Sequence, residues 1–226
     1  MPAPISVVIP TLNAAETIGP TLACLYEGMG QSLICEVIFA DGGSEDNIEE
    51  VAKEVGATLV TAPKGRGSQL NAGAKVAKGK WILFIHADTV LSENWVRTIG
   101  QHINTNSNAA YCRLKFDTDS APARFIAACA NLRSRLFGLP YGDQTLLISK
   151  HLYKSAGGYP EIPLMEDVAL VRKLRGKVTQ LDITATTGSD RYIKDGWFKR
   201  AAKNLGTLMR YFIGISPEKL AERYHR

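Results

Sequence analysis

No stretch of the chain approaches the roughly 18 consecutive apolar residues that a membrane-spanning helix requires. The N-terminal "MPAPISVVIPTLN" has no basic opening and no apolar segment long enough for a secretory signal. Both absences lead to the expectation of a cytoplasmic protein. Cysteine is sparse. The four thiols, Cys24, Cys35, Cys112 and Cys129, stand apart with no C-x-x-C pair, which supports neither a disulfide framework nor a zinc site. Cys35 and Cys112 lie in apolar, strand-like stretches and are expected to be buried free thiols. Neither G-x-G-x-x-G nor G-x-x-x-x-G-K-[ST] occurs, which weakens dinucleotide-binding and phosphate-loop readings. Internal repeats, low-complexity tracts and linkers are also missing, so the 226 residues read as one domain.

What is present is an ordinary core-forming composition, 45% hydrophobic and 22% charged. A net charge of +5 is a modest excess. It suits a polyanionic ligand such as a nucleotide, an anionic membrane surface, or general solubility.

The first half alternates between two periodicities. "ISVVIP" (5–10), "ICEVIFAD" (34–41), "ATLVTA" (57–62) and "WILFIHAD" (81–88) are short continuous apolar runs. Runs of that length suit strands covered on both faces, as in a parallel sheet. Helical spacing occupies 15–29, 44–55 and 67–78, with Ser44 expected as the N-cap of the second helix and Gly79 as the stop of the third. This alternation predicts βαβ units. The second half is less regular. It reads as helix (92–105), strand (109–117), helix (121–137), a Gly/Pro-rich patch (137–144), strand (145–150), a loop over 155–167, helix (168–175) and strand (177–183). A basic helical tail follows, broken near Gly214 to Pro217.

In open α/β sheets, ligands bind beyond the carboxyl ends of the strands. All four strand ends in the first half carry polar residues. They are Pro10-Thr11-Leu12-Asn13 with Glu16 close behind, Asp41-Gly42-Gly43-Ser44, Lys64-Gly65-Arg66-Gly67, and His86-Ala87-Asp88-Thr89. The chemistry suits a nucleotide. Asp41 can accept from ribose hydroxyls or a base N–H, and Gly42 and Gly43 permit close backbone approach. Arg66, ahead of a helix, can meet a phosphate. Asp88 is a hard ligand for Mg2+ or Mn2+, and His86 suits Mn2+ better. Asp41-Gly42 is also an ordinary turn dipeptide, the Arg66 segment also a solvated basic turn, and His86 also a structural histidine.

The stretches "SVVIPTLNAAETI", "VIFADGGSEDN" and "GRGSQLNAGAKVAKGKWILFIHADT" resemble the N-terminal half of the family 2 inverting glycosyltransferases of GT-A fold. "GDQTLLISKHLYKSAGGYPEIPLMEDVALVRKLR" resembles that family's acceptor half. Individual motifs are loose; their order and spacing together carry the likeness. The nearest resemblance is to a small bacterial branch found near radical-SAM and selenium-related genes. The resemblance implies an α/β fold with a Rossmann-like, mostly parallel sheet flanked by helices. Residues 1–91 would bind the nucleotide sugar, 92–190 the acceptor, and 191–226 would form a helical tail. It implies that Pro10, Thr11, Asn13, Glu16, Asp41 and Gly42 line the nucleotide pocket, and that Arg66 and Asn71 border the nucleotide sugar. His86-Ala87-Asp88 takes the place of the family's Asp-x-Asp motif, with Asp88, and with it His86, at a Mn2+ or Mg2+ ion. Gly142-Asp143-Gln144 would lie near the sugar and acceptor. Arg191 falls where family members place a segment closing over the diphosphate. Glu166 and Asp167 match the acidic pair that supplies the catalytic base, Asp167 being favoured; an acidic pair opening a helix is the structural alternative.

The family pattern has an acid where this chain has His86, which bears on metal and sugar choice. Two other functions stay open: a sugar-nucleotide pyrophosphorylase, and a non-catalytic nucleotide-sugar binder. The pyrophosphorylases usually carry a Gly-rich basic loop after strand one, which "PTLNAAETIG" lacks. The expected partners are a nucleotide-diphosphate sugar and a hydroxyl acceptor, not nucleic acid. The basic tail, 191–213, can pack on the domain, form a homodimer contact, or dock on the inner face of a membrane.

Overall fold

A run of β-branched residues opens the fold. In β1 (Ile5–Thr11), Ile5, Val7 and Ile9 face one hydrophobic cluster, while Val8 faces another. β2 (Ile34–Asp41) repeats the pattern with Val37 and Phe39 against Ile38 and Ala40. In β4 (Trp81–Phe84), Leu83 opposes Ile82 and Phe84. Strands apolar on both faces must be covered on both faces, which is the reason for the continuous runs. The computed structural model describes residues 3–174 and 176–225, the side chain of His225 excepted.

One eight-stranded sheet runs in the order β3-β2-β1-β4-β7-β6-β8-β5. β3 (Thr58–Thr61), β2, β1 and β4 are mutually parallel. β7 (Leu146–Ser149) then pairs antiparallel with β4. β6 (Ala109–Phe116) runs antiparallel to β7 and parallel to β8 (Val178–Thr187). The short β5 (Thr89–Leu91) closes the order against β8. The two halves thus share one sheet, joined at the β4–β7 ladder.

Helices cover both faces. α1 (Gly19–Gly30), α2 (Ile48–Glu54) and α4 (Trp95–Thr105) place Leu25, Ala52 and Ile99 in the first cluster. α3 (Arg66–Val76), α6 (Lys150–Ser155) and α7 (Glu166–Lys173) place Leu70, Tyr153 and Leu170 in the second. Burying one such side chain completely contributes about 1.5–3 kcal/mol. α5 (Ala121–Phe137), α8 (Asp190–Asp195) and α9 (Trp197–Phe212) share a third cluster with β6. Leu208 of α9 and Leu220 of α10 (Pro217–His225) meet Met165 and Val168 in a fourth, so one side of the tail packs on the domain.

Four expectations are corrected. Ser44 does not cap α2, which begins at Ile48 behind Asn47; its hydroxyl donates to Asp41 instead. Cys35 is exposed although Ile34 beside it is buried, and its thiol donates to the Ile5 carbonyl at 3.2 Å. α3 ends at Val76, three residues short of Gly79. The run 81–88 also divides: the β4 ladder stops at Phe84, which frees His86, Ala87 and Asp88 to form the turn into β5.

Candidate active site

The carboxyl ends of β1, β2 and β4 and the N-terminus of α3 meet along one edge. At β2, Asp41 is buried and fully engaged. Thr11 Oγ1 donates to its Oδ1 at 3.0 Å and Ser44 Oγ at 2.5 Å. The N–H groups of Gly43 and Ser44 each donate to its Oδ2 at 2.9 Å. Burial alone would raise the Asp41 pKa, but the Ser44, Gly43 and Thr11 hydrogen bonds outweigh it and hold the carboxyl below its ordinary range. Asn13, at φ 51°, extends this clamp. Its N–H donates to Ser44 Oγ and its side-chain oxygen accepts from the Glu45 N–H. Gly42 N–H donates to the Thr11 carbonyl. Pro10 lies in register with Ala40 on the neighbouring strand. Glu16 is exposed in the turn before α1.

Gln69 was not anticipated from the sequence. It is buried in α3, and its amide nitrogen donates to the carbonyls of Thr11 at 2.7 Å and Ala40 at 2.9 Å. It fastens the ends of β1 and β2 together beneath the clamp. No sequence signal set it apart from Asn71, the other amide of α3.

The β4–β5 turn is pinned from two sides. Thr21 of α1 donates to the Ala87 carbonyl at 2.8 Å. Thr187 of β8 donates to Asp88 Oδ1 at 3.3 Å, and a Cβ on Gly188 would lie 3.2 Å from Asp88 Oδ2. Asp88 is exposed, with its carboxylate fixed in direction.

Chain segments from the second half converge on this edge. A Cβ on Gly67 would lie 2.2 Å from the Pro160 carbonyl, so only glycine admits the loop before α7 so close to α3. That approach delivers Glu166 to Arg66, 3.8 Å apart. Asn71 serves the same approach, donating to Glu161 at 3.0 Å. Met165, at φ 67°, turns the chain into α7. Asp167 then accepts the Gly142 N–H on Oδ2 at 2.9 Å and the Val168 N–H on Oδ1 at 2.7 Å. Gly142 also lies against His86, where a Cβ would stand 2.9 Å from Nε2. His86, Gly142 and Asp167 therefore form one contact chain.

Charge at this convergence is arranged unequally. Asp143 carries a buried Oδ1 with no hydrogen-bond partner among the described residues. Burial, with Asp167 and Asp88 adding to it against Arg133 and Arg66, pushes its pKa up to about 6. Burial and the neighbouring Asp167 also raise Glu166, against the pull of Arg66. Burial and the positive charges of Arg66 and Arg191 hold His86 well below the ordinary imidazole value, so it is neutral. Its Nε2 is likewise buried without a partner among the described residues. Arg191, in α8, is the more weakly acting of these two arginines. For Arg66, burial opposes the charge, but Glu166, Asp167, Asp143 and Asp88 outweigh it. Its side chain is 42% exposed, so it stands crowded by acids yet wet.

Asp143 is held from behind by its neighbour Gln144 and by partners of Gln144 that carry no sequence signature. Gln144, fully buried in the 3-10 turn Gly142–Gln144, accepts from Ser134 Oγ at 2.5 Å and donates to the Cys112 carbonyl at 3.2 Å. The Arg133 guanidinium stacks 3.5 Å over the Tyr141 ring.

A divalent cation fits this edge in one way. Among the described residues, no three His, Cys, Asp or Glu side chains gather closely enough to hold one. Asp88 offers an exposed, oriented carboxylate, and a cation there would draw its other ligands from phosphate oxygens, as Mg2+ commonly does. The His86 Nε2 is closed off against Gly142.

Known proteins share both the sequence pattern and the fold. Chondroitin synthase of Escherichia coli is 35% identical over 115 residues, 47% of this chain and 16% of that protein. An uncharacterized glycosyltransferase of Mycoplasma genitalium is 30% identical over 102 residues, 41% of this chain and 34% of that one. The chain thus matches only a minor part of the length of these relatives. Residues 1–349 of S. aureus TarS superpose with a TM-score of 0.65 at 17% identity, covering 88% of this chain and 63% of that one. Glucosyl-3-phosphoglycerate synthase from Mycobacterium tuberculosis, solved with Mn2+, UDP-glucose and phosphoglyceric acid, gives 0.58 at 21% identity, covering 82% of this chain and 70% of that one. At these identities the likeness establishes the fold, which is GT-A. Residues 6–139 match the family model described as Glycosyl transferase family 2. That is more than half of the chain, and the protein belongs to glycosyl transferase family 2.

Proposed function

We propose that the protein transfers a sugar from a nucleotide-diphosphate sugar to a hydroxyl acceptor, with inversion at the anomeric carbon. The observation that carries this reading is the meeting of two differently built regions. A saturated clamp at Asp41 and a group of acids at Asp143, Glu166 and Asp167, of which Asp143 keeps an unpartnered buried oxygen among the described residues, both border the first turn of α3, the clamp through Gln69 and the acids through Arg66.

The residues divide the work. Asp41 and the clamp around it offer fixed acceptors to ribose hydroxyls or a base N–H. Arg66, at the start of α3, and Arg191 supply positive charge for the diphosphate, and the α3 N-terminus adds its dipole. Mn2+ or Mg2+ would be held by Asp88 together with diphosphate oxygens, and when bound would neutralise charge on the leaving group.

Asp167 is the base. Two backbone N–H groups orient its carboxylate without consuming all its lone pairs. It takes the proton of the acceptor hydroxyl as that oxygen forms its bond to the anomeric carbon. The bond from that carbon to the diphosphate oxygen breaks, and the nucleoside diphosphate leaves with the electron pair. One in-line displacement inverts the centre. Glu166 is buried against Arg66 and disfavours ionisation, so it suits positioning Arg66 better than proton transfer. UDP-glucose in the Mycobacterium tuberculosis enzyme and UDP-GlcNAc in TarS make uridine nucleotides the first donors to try.

The test is release of nucleoside diphosphate from a panel of nucleotide sugars with Mn2+ or Mg2+. Release that needs both Asp88 and Asp167 supports the transferase. Donor binding without turnover across a wide acceptor panel supports a binding protein instead. Pyrophosphate-dependent formation of a nucleoside triphosphate would sink the reading in favour of a pyrophosphorylase.

A further inference from the structure

The tail that packs on the domain through Leu208 leaves its other side bare. Phe198, Leu205 and Met209 recur along α9 at spacings of seven and four and are exposed, Phe198 at 62%. These spacings set them on one stripe of the helix. α5 does the same with Phe125, Leu132 and Leu136, also exposed. The two helices pack on each other through Ala123, Ile126 and Ala127 of α5 and Trp197 and Ala201 of α9. Their outer stripes meet where the Phe125 and Phe198 rings stand 6.4 Å apart. Two adjacent helices with continuous outward apolar stripes form one patch, larger than scattered surface residues explain.

The charge around this patch is predominantly positive. Residues 191–213 hold six basic side chains and one acid, and 121–137 hold three arginines and no acid. The segment 191–213 alone therefore carries a net charge of +5, equal to that of the whole chain. Lys199 and Arg210 are exposed about a quarter-turn or more from the α9 stripe, and Arg135 borders the α5 stripe in the same way.

We propose that the α5–α9 face docks on an anionic lipid bilayer. Apolar side chains enter the boundary between headgroups and acyl chains while the flanking cations meet anionic headgroups. A second copy of this chain is disfavoured, because a self-complementary contact would bring two cationic patches together. Nucleic acid matches the charge but offers nothing to the exposed phenylalanine and leucine stripes.

The experiment is co-sedimentation of the purified chain with vesicles. Phosphatidylcholine vesicles are compared with vesicles that also contain phosphatidylglycerol, over a series of salt concentrations. The expected result is pelleting with the anionic vesicles, weaker pelleting with neutral ones, and release as salt rises. The Phe198→Glu/Leu205→Glu protein should lose about tenfold in partitioning, and Lys199→Glu/Arg210→Glu a comparable amount. Tyr26→Glu, at an exposed aromatic on α1, should bind like wild type. Circular dichroism melts establish that each variant is folded, and the wild-type salt series needs no variant at all. Pelleting indifferent to lipid charge and salt would overturn the proposal, as would binding undiminished in Phe198→Glu/Leu205→Glu. So would a concentration-dependent dimer that this variant abolishes without vesicle binding by the wild type. Retention on random-sequence duplex DNA, lost with the charge variants but not with Phe198→Glu/Leu205→Glu, would overturn it too.

Discussion

Asp41 is buried and Asp143 half-buried with one carboxylate oxygen shut from solvent, and the fold treats them oppositely. Asp41 receives four hydrogen bonds and is held ionised. Asp143 keeps a buried oxygen with no partner among the described residues and is pushed up to about 6. The first lies where parallel strands end and consecutive backbone N–H groups turn over them. The second lies where a 3-10 turn is pressed against other acids. The difference separates two tasks. A site for an invariant ligand part gains from complete preorganisation. A site where bonds change gains from groups whose partners arrive only with substrate, so that binding and reaction are satisfied together.

The largest expected effect tests that separation at Asp167. Asp167→Asn keeps the shape and an acceptor oxygen but removes the base, so turnover should fall about 10³-fold, within the usual span for general-base catalysis. Donor affinity, measured by calorimetry with a nucleoside diphosphate, should change by less than about twofold. A matching loss of donor affinity would erase the contrast between the regions. Asp41→Ala should show the reverse pattern. It strands the Thr11 and Ser44 hydroxyls and two N–H groups, at a cost of about 2–4 kcal/mol of stability. Donor affinity should fall at least about tenfold along with it. Unchanged donor binding in a folded Asp41→Ala protein would remove Asp41 from the nucleotide site.

A smaller effect sharpens the comparison through pH. Asp143 titrates near 3.8 when unperturbed and at about 6 in the fold. The folded chain therefore holds this proton more tightly than the unfolded chain. The stability that proton supplies is complete below the lower value and is lost as pH rises through about 6. Asp41 runs the other way: its contribution is present above its unfolded value and lost as pH falls through the depressed one. Asp143→Asn should thus be more stable than wild type at pH 8 by about 1–2 kcal/mol, the gap closing toward pH 4. Urea unfolding at both pH values reads this, and parallel wild-type and variant profiles would show that Asp143 is not strained.

Much of the sheet could be read from periodicity because its strands are covered on both faces. The runs at 5–10, 34–41 and 81–88 had to be central for that reason, and their polar ends followed. The boundaries of α5 were also recoverable, with Pro122 in its first turn and Gly138 in the left-handed conformation just past its end. Residues that act through tertiary contact left little trace. Gln69 reads as an ordinary helical glutamine until its two carbonyl partners are seen. Arg133 acts on Asp143 from a helix that no motif joins to the Gly142-Asp143-Gln144 turn. Gly67 and Gly142 looked like loop glycines, yet each marks a chain approach that decides which acids meet.

Ser44 carries the smallest predicted effect and separates two explanations of the same residue. Read by spacing, Ser44 precedes a helix and followed the pattern of an N-cap. In the fold it donates to Asp41 and accepts from Asn13, and α2 starts four residues later without it. Ser44→Ala should cost about 1 kcal/mol under either explanation, so stability alone decides nothing. The discriminating quantity is the Asp41 pKa, followed by carboxyl-carbon NMR during acid titration. Loss of a cap would fray α2 and leave Asp41 where it is. Loss of the clamp removes the strongest of the bonds opposing burial, so Asp41 must rise toward or above its ordinary value, and acid unfolding must begin at higher pH. Donor affinity should then weaken by only a few fold, because Thr11, Gly43 and the Ser44 N–H still hold the carboxylate. An unmoved Asp41 titration would return Ser44 to the helix and leave the clamp one bond weaker than drawn.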